Sequence, residues 1–184
     1  MNNLVVFPLF IPLFTGILLF FFRKQIGLQK WIATAALLLT IGISGWLVHT
    51  VSTSGIQTLD MGSWAPPYGI VLVADMVAAL LVLTSSIVSL ACLLYAFQST
   101  DKDREAFYVY PFLLLLVCGV NGSFLTGDLF NLFVFFECML LASYVLLSLG
   151  GGKVQLKESI KYVLVNVLSS SLFVVAVAYL YSVA

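Results

Sequence analysis

The sequence predicts an all-α integral membrane protein with six transmembrane helices and its amino terminus on the outer side. Three observations carry that expectation. The chain is 62% hydrophobic and only 9% charged, whereas soluble domains carry about 25% charged residues. A water-soluble fold of 184 residues could not hide so much apolar surface. The apolar residues also group into six stretches, roughly 4–22, 31–50, 70–97, 106–125, 128–149 and 160–182, each close to the ~20 residues a spanning helix needs. Finally, all eight basic residues fall in alternate connections. Arg23, Lys24 and Lys30 follow the first stretch, Lys102 and Arg104 the third, and Lys153, Lys157 and Lys161 the fifth. With six spans these connections share one side, which the positive-inside rule makes cytoplasmic. Asp60, Asp75 and Asp128 then fall on or near the outer face.

Each element has its own signal. MNNLVVFPLFIPLF lacks a basic leading region and a small-residue cleavage site, so it reads as a retained span, not a signal peptide. Pro8 and Pro12 are tolerable near a helix start and kink the turns beyond them. The longest link, 52–69, carries turn chemistry at Pro66-Pro67 and Gly69. Asp75 opens the third helix, where the dipole favours an acid, and a stripe of Ala79, Val82, Ser86 and Ser89 follows. QSTDKDRE at 98–105 reads as a solvated loop. Asn121-Gly122-Ser123 through Asp128 reads as a tight turn, which makes the glycosylation pattern Asn-Gly-Ser incidental. Gly150 to Gly152 are helix stops. Trp31, Trp46 and Trp64 sit at or beyond span ends, as interfacial aromatics do. Small residues within the spans suit close helix packing.

Composition also narrows the function. Formal net charge is zero, so nothing favours a nucleic-acid partner. Cys92, Cys118 and Cys138 are widely separated in apolar runs and read as buried free thiols. One histidine, His49, with scattered cysteines does not supply a zinc ligand set. No nucleotide motif, cofactor signature or nucleophile pattern occurs.

The residue that breaks the apolar pattern is Glu137, within GDLFNLFVFFECMLL (127–141). It lies nine residues past Asp128 and twelve before Leu149, roughly 13 Å and 18 Å along a helix, hence near the middle of a ~30 Å hydrocarbon core. A charge there costs about 2.5–3.5 kcal/mol on insertion scales. No lysine or arginine lies mid-span to compensate it. Either the carboxyl is carried neutral, because desolvation disfavours its charged form, or its partner lies outside this chain. Both options favour a group that changes its proton occupancy. The plainer alternative is a neutral acid hydrogen-bonding a neighbouring helix. Helical spacing puts Phe130, Phe133, Val134, Leu140, Leu141 and Tyr144 on its face. Tyr144 is a secondary candidate for the ion path, as are Asp75 and the i, i+4 pair Asn166 and Ser170 on the sixth helix. The bland roles for these are ring packing, helix capping and interhelical hydrogen bonding.

REAFYVYPFLLLLVCGVNGSFLTGDLFNLFVFFECMLLASYVLLSLGG and QLKESIKYVLVNVLSSSLFVVAVAYLY resemble the D subunits of Mrp-type multisubunit sodium/proton antiporters, a family related to the proton-pumping membrane subunits of respiratory complex I. The resemblance runs along the whole chain and is most specific from Arg104 to Tyr181. GDLFNLFVFFE separates the D subunits from their complex I relatives. The resemblance implies a bacterial plasma-membrane protein working with other Mrp subunits, without a cofactor. It implies that Glu137 is the essential glutamate of the fifth helix, paired with a lysine beyond Ala184. It also implies that this chain holds the peripheral helices and the start of the first of two inverted repeats, the amino-terminal part of a longer subunit that would not transport alone.

The expected function is therefore proton movement coupled to sodium efflux, with Glu137 as the proton carrier. Two alternatives stand beside it. A pump subunit of a complex I-like NADH-quinone oxidoreductase would co-purify with NADH- and quinone-handling proteins. A membrane scaffold would retain full activity with Glu137→Gln.

Overall fold

The computed structural model describes residues 3–64, 69–100, 105 and 107–183. Its six long helices are α1 (Phe7–Phe21), α2 (Ile26–Ser54), α3 (Met76–Ser99), α4 (Val109–Leu125), α5 (Leu129–Ser148) and α6 (Lys153–Val183). Four are long and apolar enough to cross a membrane by themselves. The other two, α1 and α4, have 15 and 17 residues, or about 22 Å and 25 Å at 1.5 Å per residue. A 3-10 turn at Asn3–Val5 extends α1. Pro66-Pro67, Lys102 and Arg104 lie outside the described residues.

One feature departs from the all-helical expectation. Strands β1 (Gln57–Asp60) and β2 (Val71–Ala74) form an antiparallel hairpin pairing Gln57 with Ala74 and Asp60 with Val71. The apolar stretch 70–97 is thus two elements. Its first residues alternate in burial, Leu72 and Ala74 being buried and Val71 and Val73 half-buried, which is the two-residue period of a strand. Asp75 ends that strand and caps α3, its Oδ1 accepting the Ala78 N–H at 2.7 Å.

The hairpin fixes which connections share an end. Leu72 bridges to Thr126, and the Gly127 N–H donates to the Val71 carbonyl at 2.8 Å. The Asn3–Val5 turn packs on both strands. The amino-terminal turn, the hairpin and the α4–α5 connection therefore occupy one end of the bundle. At the other end Lys30 Nζ lies 2.7 Å from Glu105 Oε1, which also accepts the Tyr110 hydroxyl at 2.7 Å. Lys30 sits 5.3 Å from the centre of the Phe97 ring and Arg23 5.2 Å from that of Tyr108. Between these ends run two buried clusters, one around Leu47, Leu72 and Val82, the other around Leu37, Leu93 and Leu114.

Asn121-Gly122-Ser123 is not a turn. The helix α4 runs through it to Leu125, and the connection is Thr126–Asp128. Asn121 is fully buried, which also removes it as a glycosylation acceptor. Its presence there follows from Pro12. A proline inside α1 has no N–H to give the carbonyl four residues back, leaving Pro8 open. Asn121 Nδ2 donates to that carbonyl at 3.1 Å, and Ser85 Oγ donates to Asn121 Oδ1 at 2.6 Å. The triad ties α1, α3 and α4 together inside the apolar layer, where an unpaired polar group costs several kcal/mol. Asn121→Leu, close in volume, should destabilise the assembled protein by about 1–3 kcal/mol. An unchanged melting midpoint in detergent would show that the triad carries no stability.

Two further expectations need correction. Cys92 and Cys138 are exposed on helix surfaces, and only Cys118 is buried, because lipid, not protein, covers most of each apolar helix. Trp31 and Trp46 lie within α2, since that helix extends beyond 31–50 at both ends; both rings are exposed.

Candidate functional site

The site is built by the way α5 is clamped on α4. A Cβ on Gly119 would lie 2.7 Å from the Met139 backbone nitrogen, and one on Gly122 would clash with the edge of the Phe135 ring. Gly119 thus lets the helix backbones touch, and Gly122 makes room for the Phe135 ring. Phe135 and Met139 are the α5 residues at that contact. Glu137 stands two residues from each, a rotation of about 200°, and so faces away from α4 and towards α6.

There it borders a cavity of about 220 Å³ lined by Phe133, Phe136, Leu140, Asn166, Ser169, Ser170 and Phe173. The Phe133 and Phe173 rings stack across it, with centroids 6.1 Å apart and planes 13° apart. A second opening between the helices, bounded by Val167, Ser170, Ser171 and Val174, also reaches Phe133 and Glu137. Glu137 Oε1 is buried without a hydrogen-bond partner among the described residues. A polar atom left so in an apolar setting normally marks a functional group or a missing partner.

The facing helix is oriented by its own pattern. Gln155, Ser159, Val163, Asn166, Ser170 and Val177 are the α6 residues turned inward, at the three- and four-residue steps of one helical face. Gln155 Nε2 donates to the carbonyls of Leu147 (2.7 Å) and Leu149 (2.5 Å) at the end of α5. Gly150 (φ 111°) and Gly151 (φ 63°) make the reversal, in backbone that favours glycine.

The candidate residues divide accordingly. Glu137, Asn166 and Ser170 come together in one chamber. Tyr144 lies two turns along α5, its ring edge-on to Tyr162 at 5.6 Å, outside the lining. Asp75 remains at the hairpin end as a helix cap. Of the residues given to the Glu137 face, Phe133 and Leu140 line the chamber, while Val134 and Leu141 are exposed. Phe136, Ser169 and Phe173 join the lining without having been site candidates, although Phe173 continues the Asn166–Ser170 stripe by three residues.

The architecture and the chamber define a class: a multi-pass membrane protein in which a half-buried glutamic acid side chain faces a small cavity between two helices. Residues 126–184, which contain the chamber, match the family described as NADH:quinone oxidoreductase/Mrp antiporter, transmembrane region. More particularly, the chain is similar along its whole length to two proteins named as the D subunits of Na+/H+ antiporters. One is from Bacillus subtilis (53% identical over 183 residues) and one from Alkalihalophilus pseudofirmus (52%). The alignment covers 100% of this chain and 37% of each relative. Among solved structures, the Mrp complex from Dietzia sp. DQ12-45-1b superposes with a TM-score of 0.91 at 31% identity, covering 100% of this chain and 35% of that one. A chain of the membrane-bound sulfane sulfur reductase, an archaeal respiratory membrane complex, follows at 0.86 and 28%, covering 98% and 37%. The chain thus resembles the D subunits over about a third of their length.

Proposed function

We propose that this chain forms part of the proton path of a multisubunit sodium/proton antiporter of the bacterial cell membrane, acting with the other subunits of an Mrp-type complex. Glu137 is its proton carrier. The observation that carries this reading is the Glu137 chamber: a mid-span carboxyl, an oxygen without a partner among the described residues, and a cavity shared with polar residues of α6. The shared end of Lys30, Arg23 and the start of α6 supports a cytoplasmic assignment for that side, with the hairpin and Asp128 outside. Such a path needs no cofactor, since the membrane proton gradient supplies the driving force. The resemblance to the antiporter subunits supports a lysine outside this chain as the counter-charge of the ionised form.

The test is sodium-dependent proton movement in everted vesicles that carry the complete complex. Glu137→Gln should lower it at least tenfold at equal subunit abundance and intact assembly. Unchanged movement would make Glu137 a packing residue and sink the proposal.

A further inference from the structure

At the Lys30 end of the bundle two basic side chains carry no counter-ion. Lys30 is paired with Glu105 and Lys161 with Glu158, whereas among the described residues no carboxylate lies within ion-pair distance of Arg23 or Lys24. Arg23 is nevertheless held in place. The helices α1 and α4 run side by side from Gly16, where an added Cβ would lie 3.3 Å from the Pro111 carbonyl. The residue two beyond the end of α1 therefore meets the residue that opens α4. The Arg23 guanidinium lies 5.2 Å from the centre of the Tyr108 ring. That ring leans on Phe20 at 5.2 Å, and Phe20 is edge-on to Phe112 at 5.4 Å. Tyr108 has φ 62°, the single non-glycine residue with a positive φ among the described residues. A bulky side chain keeps that backbone only where its surroundings hold it. A guanidinium already fixed on a ring loses little freedom on binding, and its fork of N–H donors matches phosphate oxygens.

The surroundings are amphipathic. The outward side of α1 is apolar up to the charge: Phe14, Ile17, Leu18 and Phe21 are exposed, Phe21 by 85%. Phe107, beside Tyr108, is exposed as well, while Phe20, Phe112 and Leu115 are half-buried along the seam of α1 and α4. A cation with flanking rings at the end of an apolar span stands at headgroup depth. We infer that this corner binds an anionic phospholipid, its phosphate on Arg23, Lys24 adding charge, and its acyl chains along α1 and α4. Charge complementarity favours that occupant, because two cations stand here without a described carboxylate to neutralise them. Phosphatidylethanolamine brings its own ammonium and gains less, and a free phosphate leaves the exposed rings uncovered. The corner uses neither α5 nor α6, so it stands apart from the proton path proposed above.

The test places the purified complete complex in nanodiscs of phosphatidylethanolamine with a minor share of phosphatidylglycerol that carries a photoreactive acyl chain. Labelled peptides are mapped by mass spectrometry. Labelling should fall within residues 14–24 and 107–115. It should drop about fivefold in Arg23→Gln, which removes the charge from an exposed side chain. Arg23→Lys, which keeps the charge but not the planar fork, should lie between. Unlabelled phosphatidylglycerol should compete, and inorganic phosphate should not. Equal labelling of wild type and Arg23→Gln overturns the inference. So does equal labelling by a photoreactive phosphatidylethanolamine, and so does displacement by inorganic phosphate, which would make the corner a free-phosphate site. An unlabelled corner, the result if an acidic segment of a partner subunit covers Arg23, also overturns it. None of these outcomes depends on proton movement, so the failure of Glu137 as a proton carrier would leave this test unchanged.

Discussion

Gly119→Ala is expected to remove most of the assembled protein from the membrane. The added Cβ would sit 2.7 Å from the Met139 nitrogen and 2.9 Å from its Cα, far inside van der Waals contact. Backbone cannot swing aside as a side chain can, so α5 must move bodily. Overpacking of a well-filled interior costs about 1–3 kcal/mol, and a backbone clash falls at the upper end or beyond. Because α5 lies between α4 and α6, the displacement also drives Glu137 into its own chamber. On the proposed function, the complex that survives should therefore move fewer protons per copy than wild type. Gly122→Ala provides the comparison. Its Cβ meets only the Phe135 ring, which can turn, so its loss of abundance should be clearly smaller. Quantifying the subunit in membranes by immunoblot, alongside sodium-dependent proton movement per copy, checks both points. Equal tolerance of the two alanines would mean that the helices part freely and that Glu137 is not set by this contact.

The second large effect is expected at the opposite end of the bundle. Glu105 is buried and takes both Lys30 and the Tyr110 hydroxyl on Oε1 at 2.7 Å. Breaking a wholly buried ion pair by removing one partner costs about 3–5 kcal/mol; Lys30 keeps 27% of its side chain exposed and can hydrate once freed, so Glu105→Leu should cost less, about 2–3 kcal/mol. Glu105→Gln, which keeps an acceptor for both donors but no charge, should cost about half as much. Tyr110→Phe removes one hydrogen bond and should cost about 1 kcal/mol. The melting midpoint of the detergent-purified complex ranks the three. A leucine at 105 that melts like wild type would show that the pair adds nothing to stability.

These residues also show what could be read before the structure. The six apolar stretches and the basic connections needed only composition and order, because lipid demands long apolar helices. Glu137 stood out because a carboxyl amid phenylalanines is costly. Its neighbours on α6 were named through the four-residue step from Asn166 to Ser170, but which helix they faced was not legible. Periodicity locates a buried face only where the other face is polar, and here both faces are apolar. The same ambiguity hid β2 within an apolar run that continued into α3. Asn-Gly-Ser looked like a turn because those residues favour turns. Only the carbonyl freed by Pro12, on a different helix, explains an asparagine in the middle of α4. Tyr144 and Asp75 were fair candidates by residue type, yet one packs against a ring and the other closes a helix end. Gly119 carried no local signal, since its role depends on Met139, twenty residues on.

The hairpin has a mechanical consequence. By pinning β2 to Thr126 and Gly127 it braces the ends of α2, α3, α4 and α5 into one truss, and the proline–asparagine–serine triad adds α1 to it. Among the described residues, α6 packs chiefly on α5. Glu137 therefore stands where that truss meets α6.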